Sequence, residues 1–450
     1  MKKPIAWGSA WMALSLLCLH STAQLTLGGQ LRTRTEFRDG QGAPLPQGTQ
    51  PAFFTSQRTR LNLGYNYNRL KFFVAAQDVR IWGQDVSTIN RSTTQDNNGL
   101  MLHEAWAEIL LTDSSLKTGS LSLKAGRQEL VYDDQRLLGN LDWAQAARRH
   151  DAALLKWEGK EIMLHLGVAF NQNRENSAGT TYTNATQGTY AGNTNGGAMY
   201  KGMQLLYAGK KLAHGNLSYL FLADQFSKYR MDSINGATVK TYQPGAVSRA
   251  TTGFYFNNTF NQLGVTASAY YQFGKTSSLQ KIRGYLLSLS AQYSLYKTFS
   301  AGAGVDYTSG GSTGAASKAF DPLYGTPHKF WGLMDYYYAG SLFGKGGLTD
   351  YYIKTRFKPS GKFLLLADAH QFSSAAPVLY AGKAARNLGQ EVDLVGNYTL
   401  TKQIGFEGGY SRYFSTPLLA SAPVKNIPRA KRNANWVYLM IIVKPELLVK

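Results

Sequence analysis

The sequence predicts an all-β fold: a transmembrane antiparallel β-barrel of about eighteen strands that follows a cleaved signal peptide. Three observations carry this prediction. The chain opens on a basic and then apolar leader, most of the remainder alternates apolar and polar residues, and the connections between alternating stretches are short and long in turn.

The leader sets the compartment. Lys2 and Lys3 precede an apolar stretch from Ile5 to Leu19, and Ser21-Thr22-Ala23 offers small residues where a signal peptidase reads. Residues 1–23 are thus expected to leave, and 24–450 to form one barrel domain. The apolar stretch is shorter than the ~20 residues a spanning helix needs, and no other run approaches that length. Cys18, the one cysteine, lies inside the leader, and the bulky Leu17 before it speaks against a lipid-anchored cysteine. Neither disulfides nor cysteine-ligated metals are then available to the mature chain. Lysine and arginine number 48 against 27 acidic residues, a formal charge of +21. Such an excess calls for an anionic partner. For a secreted chain that is lipopolysaccharide or an acidic solute, and not nucleic acid.

From Gln24 to Arg38, Leu25, Leu27, Leu31, Thr33, Thr35 and Phe37 share one face, while Gln30, Arg32, Arg34, Glu36 and Arg38 share the other. Residues 57–68 set Leu61, Leu63, Tyr65 and Tyr67 against Arg58, Arg60, Asn62, Gly64 and Asn66. The stretches 284–295, 299–307 and 351–357 repeat the pattern. A soluble sandwich would alternate in the same way, so the connections decide. Short turns are expected near 66–69, 113–119, 158–160, 210–215, 257–262, 296–298, 358–362 and 401–403. Longer polar segments lie between them at 39–53, 83–102, 132–147, 171–200, 224–247, 273–283, 309–346, 373–388 and 415–432. Short periplasmic turns alternating with long external loops belong to outer-membrane barrels. The hairpins around Lys210 and Asn257 carry the weakest turn signals, and without one of them the count is sixteen. Closure follows from backbone chemistry: in hydrocarbon every N–H and C=O needs an internal partner, and only a closed sheet has no edges. A barrel of this size leaves a water-filled lumen.

In such a barrel the polar face of each strand lines the lumen. Arg32, Arg34, Glu36 and Arg38 fall on the first strand, Arg58 and Arg60 on the second, and Glu104 and Glu108 on the fourth. Arg148, Arg149 and Asp151 open the sixth, and Lys354, Arg356, Asp368, His370, Glu391, Asp393 and Glu407 come from the C-terminal third. Arginines stacked along one lumen concentrate anions, and their forked guanidiniums suit carboxylate or phosphate oxygens. The bland alternative is that these charges pair across the lumen and stiffen the barrel. Arginines toward the loop side are also placed to meet lipopolysaccharide phosphates.

One segment is denser than strand patterning requires: Gly126-Arg127-Gln128-Glu129-Leu130, Asp133-Asp134-Gln135-Arg136-Leu137, Asp142-Trp143, then Arg149-His150-Asp151. Farther on, Gly304-Val305-Asp306-Tyr307-Thr308-Ser309-Gly310 is followed by Phe320-Asp321-Pro322-Leu323-Tyr324-Gly325-Thr326, His328-Lys329-Phe330 and Gly332 through Asp335. In these blocks and their order the chain resembles the alginate-export family of outer-membrane barrels, over nearly all of its mature length. The resemblance implies a monomeric eighteen-stranded barrel with an electropositive constriction, passing a polyuronate or similar anionic solute by passive diffusion. It implies Arg127, Glu129, Arg136 and Asp151 as residues of that constriction. Alternation alone places Arg127 and Glu129 with Leu121, Leu123 and Ala125, on the lipid side, unless a bulge intervenes.

Three other functions compete, one of them a purely structural or adhesive barrel, for which a charged lumen would be unnecessary. A general or small-solute porin shares every compositional feature. A hydrolase needs a Ser–His–acid constellation, and the best pair, His370 two residues after Asp368, has no assigned serine. The chain has no G-x-S-x-G elbow, no H-E-x-x-H and no zinc-like histidine spacing, so neither catalysis nor a cofactor or metal is expected.

Overall fold

The computed structural model describes residues 23–83, 100–112, 118–171, 200–234, 236–313, 316–337 and 346–449. The expected leader (but for Ala23), most of the 83–102 and 171–200 segments and much of the 113–119 turn lie outside the described residues.

Alternating residues build β1 (Gln24–Asp39), β2 (Ala52–Tyr67), β3 (Leu70–Ile81), β4 (Met101–Leu110), β5 (Gly119–Gln128), β6 (His150–Gly159) and β7 (Ile162–Phe170). The wall continues through β8 (Gly202–Leu212), β9 (Gly215–Ile234), β10 (Ala237–Phe260), β11 (Leu263–Lys275), β12 (Lys281–Tyr296) and β13 (Phe299–Thr308). A tiny hairpin, β14 (Ser312–Thr313) and β15 (Ala316–Ser317), interrupts the next connection. Then follow β16 (Leu348–Phe357), β17 (Phe363–Tyr380), β18 (Lys383–Thr399), β19 (Ile404–Ser415), β20 (Asn433–Val443) and the short β21 (Glu446–Val449). Each wall strand pairs antiparallel with its chain neighbours, and β13 pairs with β16. β20 returns to β1, with Leu31 opposite Val443 and Asp39 opposite Asn435. Eighteen strands therefore close the barrel, and β21 covers the start of β1. The weak hairpins at Lys210 and Asn257 both form, which decides eighteen over sixteen.

Side-chain exposure follows the predicted alternation. On β12, Lys281, Arg283, Tyr285, Leu287 and Leu289 are exposed, while Ile282, Gly284, Leu286 and Ser288 are buried. The outer face is apolar because it meets lipid; the inner face holds the polar and aromatic residues. Some inner positions must be glycine: a Cβ on Gly409 would lie 2.0 Å from the Tyr438 ring, which lies flat against the wall there.

Two segments read as loops are strand instead. Residues 224–234 continue β9 outward and residues 237–247 belong to β10, while residues 373–388 continue β17 and β18. Beyond the hydrocarbon, both faces of a ribbon are wet, so the cross-strand hydrogen bonds persist while apolar alternation no longer matters. Arg230, Met231, Ser233 and Ile234 are all exposed, which hides the strand from a period-two reading.

Candidate functional site

The third external loop (L3, residues 129–149) and residues 320–337 of the seventh (L7, whose described residues are 309–313, 316–337 and 346–347) fold into the barrel and meet there. Their anchorage begins in strand register. Arg32 sits directly opposite Arg58, and Gln30 opposite Arg60. Like charges facing each other destabilise a sheet unless a counter-charge lies between them. Asp142 of L3 is that counter-charge: its carboxylate accepts from Arg58 Nη1 at 2.8 Å and Arg32 Nη1 at 3.3 Å, with Arg60 at 3.7 Å. Arg32 also donates to Gln145 Oε1 at 2.9 Å and to the Asp142 carbonyl at 2.8 Å. Arg34 donates to the Trp143 carbonyl at 2.9 Å and stacks 4.3 Å over its ring. Arg34 and Arg38 share Glu36, each at 2.9 Å. Burial opposes ionisation of Asp142, but the Arg58 hydrogen bond and the charges of Arg58, Arg32 and Arg60 outweigh it and hold the carboxyl below its usual range.

The other end of L3 reaches the far wall. Asp133 accepts from Tyr207 of β8 at 2.9 Å and Ser218 of β9 at 2.7 Å. Burial, partly countered by these hydrogen bonds, pushes this carboxyl up to about 6. Arg136 is buried between Asp306 of β13 at 2.6 Å and Asp134 at 3.2 Å, under the Phe330 ring at 4.0 Å. In a ring of eighteen, β8–β9 lie seven strands round from β1–β2, two short of diametrically opposite, so L3 crosses the lumen.

L7 completes the crossbar. Tyr324 N donates to the Leu137 carbonyl and Gly139 N to the Tyr324 carbonyl, both at 2.9 Å, joining the loops as a short parallel bridge. Arg249 of β10 holds Asp224 and Asp321 at 2.6 Å each, and Tyr324 donates to Asp224 at 2.7 Å. His328 stacks on Trp143 with ring centres 4.2 Å apart. Farther along, Met334 N donates to Glu391 at 2.7 Å and Leu333 N to Asp393 at 3.4 Å. Gly332 has φ +79°, and a Cβ there would meet the Glu391 carboxylate at 2.5 Å, so only glycine lets the loop approach. Leu137, Leu138, Phe320, Leu323, Tyr324, Trp331 and Met334 are at most 3% exposed and form a core inside the lumen. Each buried side chain of that size contributes about 1.5–3 kcal/mol.

The remaining predicted residues separate into three groups. At β4, Ala75 faces Glu104 and Ala76 faces Leu102, a bulge that turns both His103 and Glu104 inward. There His103 meets Glu129 at 2.8 Å, and Glu104 accepts from the Glu129 N–H at 3.0 Å. Glu108 pairs with Lys156 at 3.0 Å, and Lys354 with Asp368 at 3.0 Å. Arg356 is exposed beside Gln292, Ser300 and Lys358 near the short turns, and Arg149 lies against Met101.

Arg127 and Asp151 require a correction. They face each other across β5 and β6 on the parity of Leu123 and Leu155, both exposed to the outside, and bond at 2.8 and 2.9 Å. No bulge shifts them, so they pair on the outer wall instead of lining a constriction. Glu129 parts from them because β5 ends at Gln128, leaving the next residue free to turn inward. Exposed pairs contribute about 0–1 kcal/mol; Arg127→Ala is therefore expected to leave single-channel conductance and selectivity at wild-type values in planar bilayers.

Comparison with known proteins decides the family. The family model described as alginate export matches residues 23–416. The chain belongs to the alginate export family. A comparison with curated protein sequences found no match. Among solved structures, a BenF-like porin from Pseudomonas fluorescens Pf-5 is similar at TM-score 0.61 and 11% identity, over 94% of this chain and 99% of that one. OccK9 (OpdG) of Pseudomonas aeruginosa is similar at TM-score 0.60 and 13% identity, over 94% and 98%. OccAB2 of Acinetobacter baumannii gives 0.59 and 10%, over 94% and 98%. At these identities the likeness is one of fold. Family and fold together make this protein an outer-membrane channel of porin type, not an enzyme.

Several residues that matter most were not among the predicted lumen set. Asp142 and Asp306 stood in the dense blocks, but as loop and strand-end residues without an assigned partner. Asp224 and Arg249 border the segment read as loop, so their inward parity was not evident.

Proposed function

We propose that this member of the alginate export family is a monomeric channel through which a hydrophilic, anionic solute diffuses, with acidic polysaccharides such as alginate among the candidates. The observation that supports this best is the charge balance of one wall. β1 and β2 contribute Arg32, Arg34, Arg38, Arg58 and Arg60, against Glu36 and the Asp142 brought by L3. Anions passing beside the L3–L7 crossbar would meet that excess, and cations would be retarded. In the same reading the mature chain starts at Gln24, the first residue of β1.

Arg38 and Arg60 test the proposal best, because they are less buried than Arg32, Arg34 and Arg58 and carry less of the L3 anchorage. Arg38→Gln/Arg60→Gln is expected to lower the anion-to-cation permeability ratio roughly two- to fivefold, measured from reversal potentials. An unchanged ratio would show that selectivity arises elsewhere. Polyuronate that blocks the current where neutral oligosaccharides do not would favour polysaccharide passage over a general porin; equal block by both would favour the porin.

A further inference from the structure

Inward lysines of this barrel have partners inside it: Lys156 pairs with Glu108, Lys354 with Asp368, and Lys124 lies over the Trp106 ring. On the outer wall, Arg127 has Asp151. Three outward cations differ. Lys275 at the end of β11 lies directly opposite Lys281 at the start of β12, and Arg283 follows two residues later, opposite Phe273. Burial alternates along residues 268–275 of β11 and 281–290 of β12, and all three fall on exposed positions with Tyr271, Phe273 and Tyr285. The carboxylates of the neighbouring strand and loop, Asp224 and Asp321, are committed to Arg249 on the inner side. Among the described residues no ion pair engages Lys275, Lys281 or Arg283. Lys318 just beyond β15 is exposed as well, and β15 pairs with β12 at Lys281 and Ile282.

Like charges directly opposite each other in a sheet are destabilising, and among the described residues no carboxylate pairs with this trio. Their height on the wall identifies the missing counter-charge. Immediately on the membrane side, Tyr271 stacks on Phe273 and Tyr285 on Tyr307, both at 5.8 Å, an aromatic belt of the kind that marks a membrane interface. The strands end at the external turn of residues 276–280, so the cations stand at the headgroup level of the outer leaflet.

We propose that Lys275, Lys281 and Arg283 form a binding site for a phosphate group of lipid A on the outer wall of the barrel. The belt rings pack beside the acyl chains, while the two ammonium groups and the guanidinium converge on the phosphate oxygens. This site is separate from the lumen, so it holds or fails independently of anion conduction.

The test is a titration of the purified full-length barrel with bisphosphorylated and with dephosphorylated lipid A, read by native mass spectrometry. Each interfacial cation is worth about fivefold in affinity, so Lys275→Gln/Lys281→Gln/Arg283→Gln is expected to weaken phosphorylated lipid A by about 100-fold. Wild-type protein should bind the dephosphorylated lipid as weakly as the variant does. A control, Lys210→Gln/Lys211→Gln/Lys297→Gln, removes the same charge near the short turns and should keep wild-type affinity. Wild-type conductance of the triple variant checks its fold. Unchanged affinity in the triple variant, equal binding of the phosphate-free lipid, or an equal loss in the control would overturn the site.

Discussion

Asp142→Asn is expected to raise single-channel conductance, by roughly twofold or more, and to make the current noisier at neutral pH. Asp142 is the counter-charge between Arg32 and Arg58, which face each other across β1 and β2. An amide oxygen can still accept one hydrogen bond, but it no longer offsets two guanidiniums and the nearby Arg60. Repulsion would then push the 142–145 segment off the wall, and the L3 crossbar would lose one of its two ends.

The same geometry fixes a pH dependence. The Asp142 carboxyl is held below its usual range, so its contribution is complete above about pH 4, the unfolded value, and is lost as pH falls through the still lower folded value. Asp133, at the other end, has the opposite sign. Its carboxyl is pushed up to about 6, so the folded state binds that proton more tightly, and stability declines as pH rises from about 4 to about 6. Acidification from pH 7 to pH 5 should therefore tighten L3, and opening should begin only below about pH 4. Conductance recorded from pH 7 to pH 3 checks both signs, and the acid-induced opening step should be missing in Asp142→Asn.

The second large effect is on stability. Arg136→Met removes the guanidinium between Asp306 and Asp134 while keeping the bulk beneath Phe330. Arg136 and Asp306 are 4% and 2% exposed, so the substitution leaves a buried carboxylate without its counter-charge. Breaking such a pair from one side costs about 3–5 kcal/mol. Denaturant unfolding in detergent should show that loss. Arg136→Met/Asp306→Asn should recover a large part of it, since no buried charge is then stranded. If the double variant were no more stable than the single one, the buried-charge account of L3 would be wrong.

These effects depend on loops, where the sequence was least legible. The wall was readable because lipid outside and polar groups inside impose one rule on each strand, so parity alone put Arg32, Arg34, Arg58 and Arg60 on one face, the face that L3 meets. L3 and L7 obey no period, and their partners lie 109 to 113 positions away in the case of the β1 arginines. A signal was nevertheless present. Leu130, Leu137, Leu138 and Leu141 in L3, with Phe320, Leu323, Tyr324, Trp331 and Met334 in L7, are more apolar than a solvated loop requires. Such residues mark a loop that folds onto something. Arg127 and Asp151 show the converse: motif likeness drew them to the constriction, although alternation had already placed Arg127 outward.

In the proposed function, the lumen beside the crossbar prefers anions. The most direct measurement is the zero-current potential of wild-type protein in a planar bilayer under a tenfold potassium chloride gradient, taken at pH 7. An anion-preferring lumen displaces that potential toward the chloride equilibrium value. Displacement toward the potassium value, or no displacement, would contradict it.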